Sequence, residues 1–447
     1  MGNQPDSVVQ TRRYAEQALD LHRAYHGKIE MVPKVPIIGQ DAFSIWYTPG
    51  VAQPCLAIRD DPALSFSLTN RGNSVAILTN GSRVLGLGDI GPAAAMPVME
   101  GKALLFKYLG GVDAIPLCIE AHDAEDVIRA AHLIAPSFGG INLEDIRQPD
   151  CFHVLSRLRH ELDIPVFHDD QQGTATVTLA ALLGALGVVD KRLDGIAIAV
   201  VGAGAAGIAT TRLLIAAGAD AGRIYMCDTK GLLHRGRTDL IGAYPDKWMM
   251  CRATNAEDRR GGIPEAMRNA DVVLALAASR PGSIRPEWIR TMNASAIVFA
   301  CANPEPEIWP WDATAAGARV VGTGRSDFPN QVNNSLGFPA IFRGVLDVRA
   351  RTITDEMCIA AAREIASCAV EMGVSETAVI PPMTAWEVYP RVAAAVGTKA
   401  VETGVARLRL GRAELEQAAR DRICAARRVV AAAQQARESG DGEAPPG

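Results

Sequence analysis

The segment Ile196–Gly207 constrains the fold of this chain most. An apolar, β-branched run, Ile196–Val201, passes into Gly202-Ala-Gly204-Ala205-Ala206-Gly207 and then into an apolar stretch reaching Gly218. A buried strand, glycines at this spacing and a helix are the context in which a GxGxxG run binds a dinucleotide. Gly202 permits the tight turn, Gly204 lets the backbone approach a pyrophosphate, and Gly207 allows close packing of helix on strand. The phosphates would rest on N–H groups of the helix start, around Ala205 and Ala206. The next strand ends in Asp228, 21 residues past Gly207, where a carboxylate meets the adenine ribose hydroxyls. A carboxylate there repels a 2′-phosphate and favours NAD, while Lys230 offsets the repulsion and keeps NADP open. An Ala/Gly-rich strand–helix turn without a ligand is the competing reading of the same residues.

Strand and helix signals alternate on both sides of this turn. Before it, strands are expected at Val75–Leu78, Ile115–Ile119, Phe138–Leu143 and Pro165–His168. Helices are expected at 11–26, from Pro92 to a Gly110–Gly111 stop, at Asp123–Ile134, at Cys151–Leu162 and from Gly173 to Leu186. Gly27–Trp46, with three prolines, reads as an irregular connection. After the turn, strands are expected at Ile224–Asp228, Val272–Leu276, Ala296–Ala300 and Arg319–Val321. The 447 residues accommodate two or three domains. The simplest account is two doubly wound α/β domains, 14–170 and 171–409, with a hinge near 165–175. A tail at 410–447 follows, helical over 412–437 and disordered in character at Glu438–Gly447. That helix reads either as a solvated element or as an oligomer or partner contact.

A net charge of −5 removes the strong positive field that a nucleic-acid or anionic-membrane partner requires. The nine cysteines include no CxxC pair, which argues against a zinc site or disulfide framework and for reduced thiols in the cytoplasm. Met1–Arg13 has no apolar core of the kind a secretory signal carries. The longest uncharged runs, Gly173–Val189 and Gly195–Thr211, are 17 residues each, short for a membrane span.

Two acidic pairs each follow an expected strand: Glu144-Asp145, after Asn142, and Asp169-Asp170, after His168. Ligands gather at the carboxyl ends of strands in open α/β sheets. Hard oxygen ligands without cysteine or histidine at ligand spacing suit Mg²⁺ or Mn²⁺. Each pair taken singly also fits a helix N-cap. Lys102 lies mid-helix among Val98, Met99, Leu105 and Phe106, where desolvation lowers a lysine pKa toward that of a general base. A snorkelling lysine at the helix border is the simpler reading of the spacing alone. Tyr47-Thr-Pro-Gly50 is a rigid turn presenting a phenol, or equally a tyrosine packed beside Trp46.

Together these pieces resemble the malic enzyme family, particularly its short bacterial and archaeal members, from Tyr14 to about Arg409. The resemblance rests on Tyr47–Ala52, Arg83–Gly91, Glu100–Lys107, Ile141–Asp145, His168–Thr174, the glycine fingerprint, Asp228–Gly231, Ala302–Pro304, Gly322–Asp327 and Asn330–Asn334. It implies an N-terminal substrate and metal domain and a Rossmann-type NAD(P)-binding domain. The implied reaction is oxidative decarboxylation of L-malate to pyruvate and CO₂, with a divalent metal and NAD(P)⁺. By motif position Tyr47 is similar to the general acid and Lys102 to the general base, oriented by Asp169. Glu144, Asp145 and Asp170 match the metal ligands. Arg83, Asn303 and Asn334 match substrate-binding positions, Asn303 also facing the cofactor. The family also implies a homodimer or higher homo-oligomer. An oxaloacetate decarboxylase with little use of the cofactor would keep the same residues and is the alternative. Trp46, Gln171-Gln172, the region 377–391 and the helix after Arg409 depart from the family pattern.

Overall fold

The computed structural model describes residues 6–39, 41–277 and 281–438. Four strands, β1 (Ser74–Thr79), β2 (Asp113–Cys118), β3 (Gly140–Leu143) and β4 (Val166–His168), form an all-parallel sheet in the order β2-β1-β3-β4. The second sheet contains β5 (Ile198–Val201), β6 (Ile224–Asp228), β7 (Gly231–Leu232), β8 (Val272–Ala275), β9 (Ala296–Ala300) and β10 (Ala318–Thr323). Its order is β10-β9-β8-β5-β6-β7, parallel except for the β6–β7 hairpin. Every residue of β1, β3, β5, β8 and β9 is buried, as strands covered on both faces by helices must be. The chain leaves β5 toward β6 on one side and reaches β8 on the other. The carboxyl ends of β5 and β8 therefore flank a topological switch point, where such sheets bind ligands.

Helices of ten residues or more are α1 (Asp6–Tyr25), α2 (Gly91–Gly110), α3 (Ala124–Ile134), α4 (Asp150–Glu161), α5 (Thr174–Val189), α6 (Ala205–Ala216), α7 (Phe338–Asp347), α8 (Asp355–Met372), α9 (Val388–Glu402) and α10 (Arg412–Glu438). α2 stops where expected. Gly111 takes φ 62°, and its N–H donates to the carbonyls of Phe106 and Lys107, a left-handed cap that suits glycine. α5 is a core helix. With the preceding turn it is apolar and long enough to cross a membrane, but 72% of that window is buried inside the protein.

Several features lie outside the sequence expectations. Asp169–Gly173 winds as a π-turn before α5 instead of passing directly from strand to helix. A six-residue helix, Asp41–Trp46, interrupts the connection read as irregular. Helices α7 to α9 follow the last strand, and α7 packs against α2 through Phe338 and Phe342, whose rings lie 4.7 and 5.2 Å from that of Phe106. The C-terminal helix α10 is not a solvated element. Leu415, Ala419, Ile423 and Ala426 form one stripe at helical spacing, all at most 5% exposed. The stripe packs on α9 and α2. A Cβ at Gly111 would stand 2.9 Å from the Arg422 carbonyl oxygen, so the α2 terminus fits directly under this helix. The expected disordered end begins at Glu438, the last residue of α10; beyond it, Ser439–Gly447 lies outside the described residues.

Candidate active site

Both acidic pairs lie just past the carboxyl ends of the neighbouring strands β3 and β4. The backbone directs their side chains. Asp145 takes a left-handed conformation, φ 52°, unusual for a residue with a side chain and common at functional turns. Its carbonyl accepts from the Arg83 N–H at 3.0 Å, and its own N–H donates to Asp170 Oδ2 at 2.9 Å. The π-turn sends the adjacent aspartates to different partners, a known use of such turns. Asp169 accepts a hydrogen bond from Lys102, whose Nζ also donates to Glu144 Oε1 at 2.7 Å. Gly173 makes this turn feasible, since a Cβ there would lie 1.8 Å from Asp169 Oδ1.

Ligand oxygens of Glu144, Asp145 and Asp170 lie within 4.8 Å of one another. Four carboxylates thus surround one ammonium, and Lys102, Glu144, Asp145 and Asp169 are each at most 8% exposed. Burial first, then Coulombic repulsion, pushes the carboxyls up, Asp145 to about 9 and Glu144 and Asp169 to about 7. Asp145 Oδ2 and Asp169 Oδ1 are buried with no hydrogen-bond partner. Such a surplus of buried negative charge, with oxygen ligands converging and no cysteine or histidine in the group, fits a hard divalent cation.

Lys102 corrects the sequence expectation. Burial alone would lower its pKa, but Asp169 and Glu144 outweigh burial and hold the ammonium well above the usual lysine range. The Phe338 ring lies 4.6 Å from Nζ and adds a second favourable face for the cation.

The other predicted residues are distributed unevenly. Asn334 lies beside the π-turn, its Cβ 3.4 Å from a Cβ built on Gly173. Asn303 is exposed on the loop after β9, wedged between Gly86 and Gly324: Cβ atoms there would stand 2.7 Å from its carbonyl oxygen and 2.6 Å from its Nδ2. Arg83 is anchored by its backbone, but its exposed guanidinium turns to the Leu85 carbonyl at 3.0 Å. Tyr47 is not brought to the carboxylates. It is 73% exposed, and its phenol makes no hydrogen bond among the described residues.

At the second sheet the three glycines have separate steric reasons. Gly202 takes φ 114°, and a Cβ there would stand 2.6 Å from the Leu276 carbonyl oxygen. A Cβ at Gly207 would come within 1.9 Å of the Gly202 carbonyl oxygen. A Cβ at Gly204 would meet nothing within 4 Å, so the backbone faces open space at the start of α6, a helix with no side-chain cap. That opening, fringed by the Ala205 and Ala206 amides, fits a pyrophosphate.

Asp228 also departs from expectation. It does not stand open toward a ribose with Lys230 as its only neighbour of opposite charge. Arg237 donates to both its oxygens at 3.0 Å, the Lys230 N–H donates at 2.9 Å, and Lys247 Nζ lies 3.8 Å away. The Lys230 side chain pairs instead with Asp239 at 3.2 Å. Arg237 and Lys247 were missed in the sequence because 9 and 19 residues separate them from Asp228. Glu307 was missed as well. It is fully buried and accepts from the N–H groups of Ala277 and Ala302 at 3.0 and 3.1 Å, tying together the loops after β8 and β9. Only its place in Asn303-Pro-Glu-Pro-Glu307, after a strand, hints at this role.

A family model described as malic enzyme, N-terminal domain, matches residues 26–159, and one described as malic enzyme, NAD binding domain, matches residues 171–401. The chain belongs to the malic enzyme family. An NAD-dependent malic enzyme of Geobacillus stearothermophilus is 50% identical over 85% of this chain and 78% of its own length. An NADP-dependent malic enzyme of Rhizobium meliloti is 44% identical over 88% of this chain, which spans 53% of that longer relative. The crystal structure of Entamoeba histolytica malic enzyme superposes with a TM-score of 0.95 at 44% identity, covering 98% of this chain and 92% of the other. The two α/β sheets found here are thus the malic enzyme architecture, and its second sheet is the Rossmann-type NAD-binding part.

Proposed function

We propose that this chain converts L-malate to pyruvate and CO₂ with reduction of NAD(P)⁺, as an NAD(P)-dependent, oxaloacetate-decarboxylating malate dehydrogenase. The observation that carries this reading is Lys102, a buried proton carrier held by Asp169 and Glu144 at the rim of a three-carboxylate site. Glu144, Asp145 and Asp170 would hold Mg²⁺ or Mn²⁺, which supplies Lewis acidity toward the C1 carboxylate and C2 oxygen. The Gly202–Gly207 turn would hold NAD(P)⁺, which would supply the hydride acceptor for C2. Lys102 takes the proton of the C2 hydroxyl, with Asp169 orienting its Nζ. The ammonium character seen here suits the return of that proton to the C2 oxygen. The base role requires the negative field of the cluster to be neutralised first. After the C3–C4 bond breaks and CO₂ leaves, Tyr47, the general acid by motif position, would protonate C3 of the enolpyruvate, a role that requires its exposed phenol to reach the carboxylate cluster. Arg83, Asn303 and Asn334 bind the substrate, and residues 14–170 and 171–409 divide the metal and cofactor work. A decarboxylase that leaves the cofactor idle is not favoured, since the relatives above are named as NAD- and NADP-dependent malic enzymes.

Cofactor choice follows from the charge at the end of β6. Asp228 and Asp239 face Arg237, Lys230 and Lys247, which leaves one positive charge in surplus. NAD⁺ and NADP⁺ are therefore both accepted. The test is absorbance of the reduced cofactor with L-malate and Mn²⁺, using either nucleotide. Reduction of neither, or reduction unchanged after metal is stripped, overturns the reading. In the same preparation Lys247→Met is expected to weaken NADPH binding about tenfold, through loss of a charge-assisted contact, and NADH binding little. Equal loss for both would remove Lys247 from cofactor discrimination.

The enzyme is read as cytoplasmic and homodimeric. Ile38, Phe43, Ile45 and Trp46 form an apolar stretch, each residue more than half exposed, and a second copy of the chain would cover it. Sedimentation velocity is expected to give a species near twice 47.4 kDa. A monomer at micromolar concentration would exclude this.

A further inference from the structure

We infer that the amino-terminal ends of the strands of the first sheet carry a second anion site, built for a compact multivalent oxyanion such as phosphate or a small dicarboxylate. A cavity of about 640 Å³ opens there, lined by Phe66, Arg71, Asp163, Arg349 and Arg407 among others. Its walls come from the segments before β1, β3 and β4 and from the loops after α7 and α9. The carboxylate cluster follows the other ends of these parallel strands, so the cavity is separate from the metal and substrate site.

The arginines are arranged as a receptor without its counter-charge. Arg71 and Arg349 share one phenyl ring, their guanidinium carbons 4.2 and 5.5 Å from the centroid of Phe66. Neither has a carboxylate partner among the described residues. Arg71 donates only to neutral oxygens, the Phe138 carbonyl at 3.2 Å and Ser65 Oγ at 2.8 Å. Arg407 stands close enough to repel Arg71, which burial and this like charge hold below the usual arginine range. The one carboxylate on the cavity wall, Asp163, already pairs with Arg407 at 2.5 Å and lies 3.6 Å from Arg351. His132, also on the cavity wall, is held by Glu161 at 2.9 Å.

Three half-buried guanidiniums against one shared carboxylate are unusual in a chain of net charge −5. Surface arginines ordinarily find an acidic neighbour or extend into water. Here backbone carbonyls hold the forks of Arg71 and Arg407, and the Phe66 face lies beside those of Arg71 and Arg349, which lowers the entropy that binding would otherwise cost. A fixed guanidinium fork matches the paired oxygens of phosphate and carboxylate. The volume admits a small anion and leaves Pro62, Pro136 and Leu408 as an apolar rim. Of the two oxyanions, phosphate needs no carbon skeleton to fit that rim, and it serves as the probe.

Inorganic phosphate, titrated into the metal-free full chain by calorimetry at constant ionic strength, is expected to bind once at this site. The thermal midpoint should rise with phosphate and not with sodium chloride of matched ionic strength. Arg349→Gln removes a half-exposed fork with no ion pair to lose, so the fold is retained. It should weaken the binding about tenfold, and Arg71→Gln should do the same. Both variants keep the glycine turn of the cofactor site, so phosphate bound there would persist in them. Malonate in place of phosphate tells whether a dicarboxylate is preferred. No phosphate- or malonate-dependent shift, or a shift equal in wild type and both variants, overturns the inference.

Discussion

Replacing Lys102 with alanine is expected to lower kcat for malate oxidation by about 10²–10⁴-fold, the range for loss of a positioned proton carrier. KM for malate should change far less, because the lysine handles a proton and does not anchor the substrate. A small primary amine in the medium should restore part of the rate by entering the space the side chain vacates. Tyr47→Phe should also be slow, but only in protonation of the enolpyruvate, and no amine should rescue it. Removing the ammonium strands Asp169 in the core, so circular dichroism must show that the variant is folded. A folded Lys102→Ala enzyme within tenfold of the wild-type rate would defeat the assignment.

Asp170→Asn is expected to have two effects of opposite sign. It removes a charged ligand, so malate oxidation and oxaloacetate decarboxylation should both fall by about 10²-fold or more. It also removes one of four carboxylates that repel one another, so the metal-free protein should be as stable as wild type or more so. Thermal denaturation with and without Mn²⁺ separates the two. Wild type should show a metal-dependent rise in Tm and the variant little or none. An equal rise in both would mean that the cation binds elsewhere.

The parallel sheets were legible because buried strands announce themselves as short β-branched runs, as at Ile196–Val201. The acidic pairs were legible because each follows such a run. What could not be read depended on contacts distant in sequence. The ammonium state of Lys102 is set by Asp169, 67 residues away. The state of Asp228 is set by Arg237 and Lys247 across a hairpin, β6–β7, too short to show any period. The π-turn at Asp169–Gly173 was not legible, because a single turn of five residues is too short to show any period. Helix α7 did carry a signal, Phe338, Ile341, Phe342, Val345 and Leu346 at helical spacing; its burial on every side, Arg343 included, is what the sequence does not announce. The stripe on α10 was present in the sequence, but small alanines among charged residues read as solvent-facing.

The seating of α10 over the end of α2 has a consequence for how the protein is made. The helix that carries Lys102 is synthesised early, yet the residues that close over its terminus, Leu415 to Ala426, leave the ribosome some 300 positions later. At about 5–20 residues per second that interval is roughly 15–60 s. Throughout it Gly111 and the neighbouring face of α2 stay uncovered, while the Phe106 ring is met sooner, once α7 has been made. The nascent chain must therefore hold the helix that carries Lys102 in an unfinished lobe until residues 415–426 have been made, and a ribosome that stalls near residue 400 releases a protein with every strand of both sheets made and the end of that helix bare.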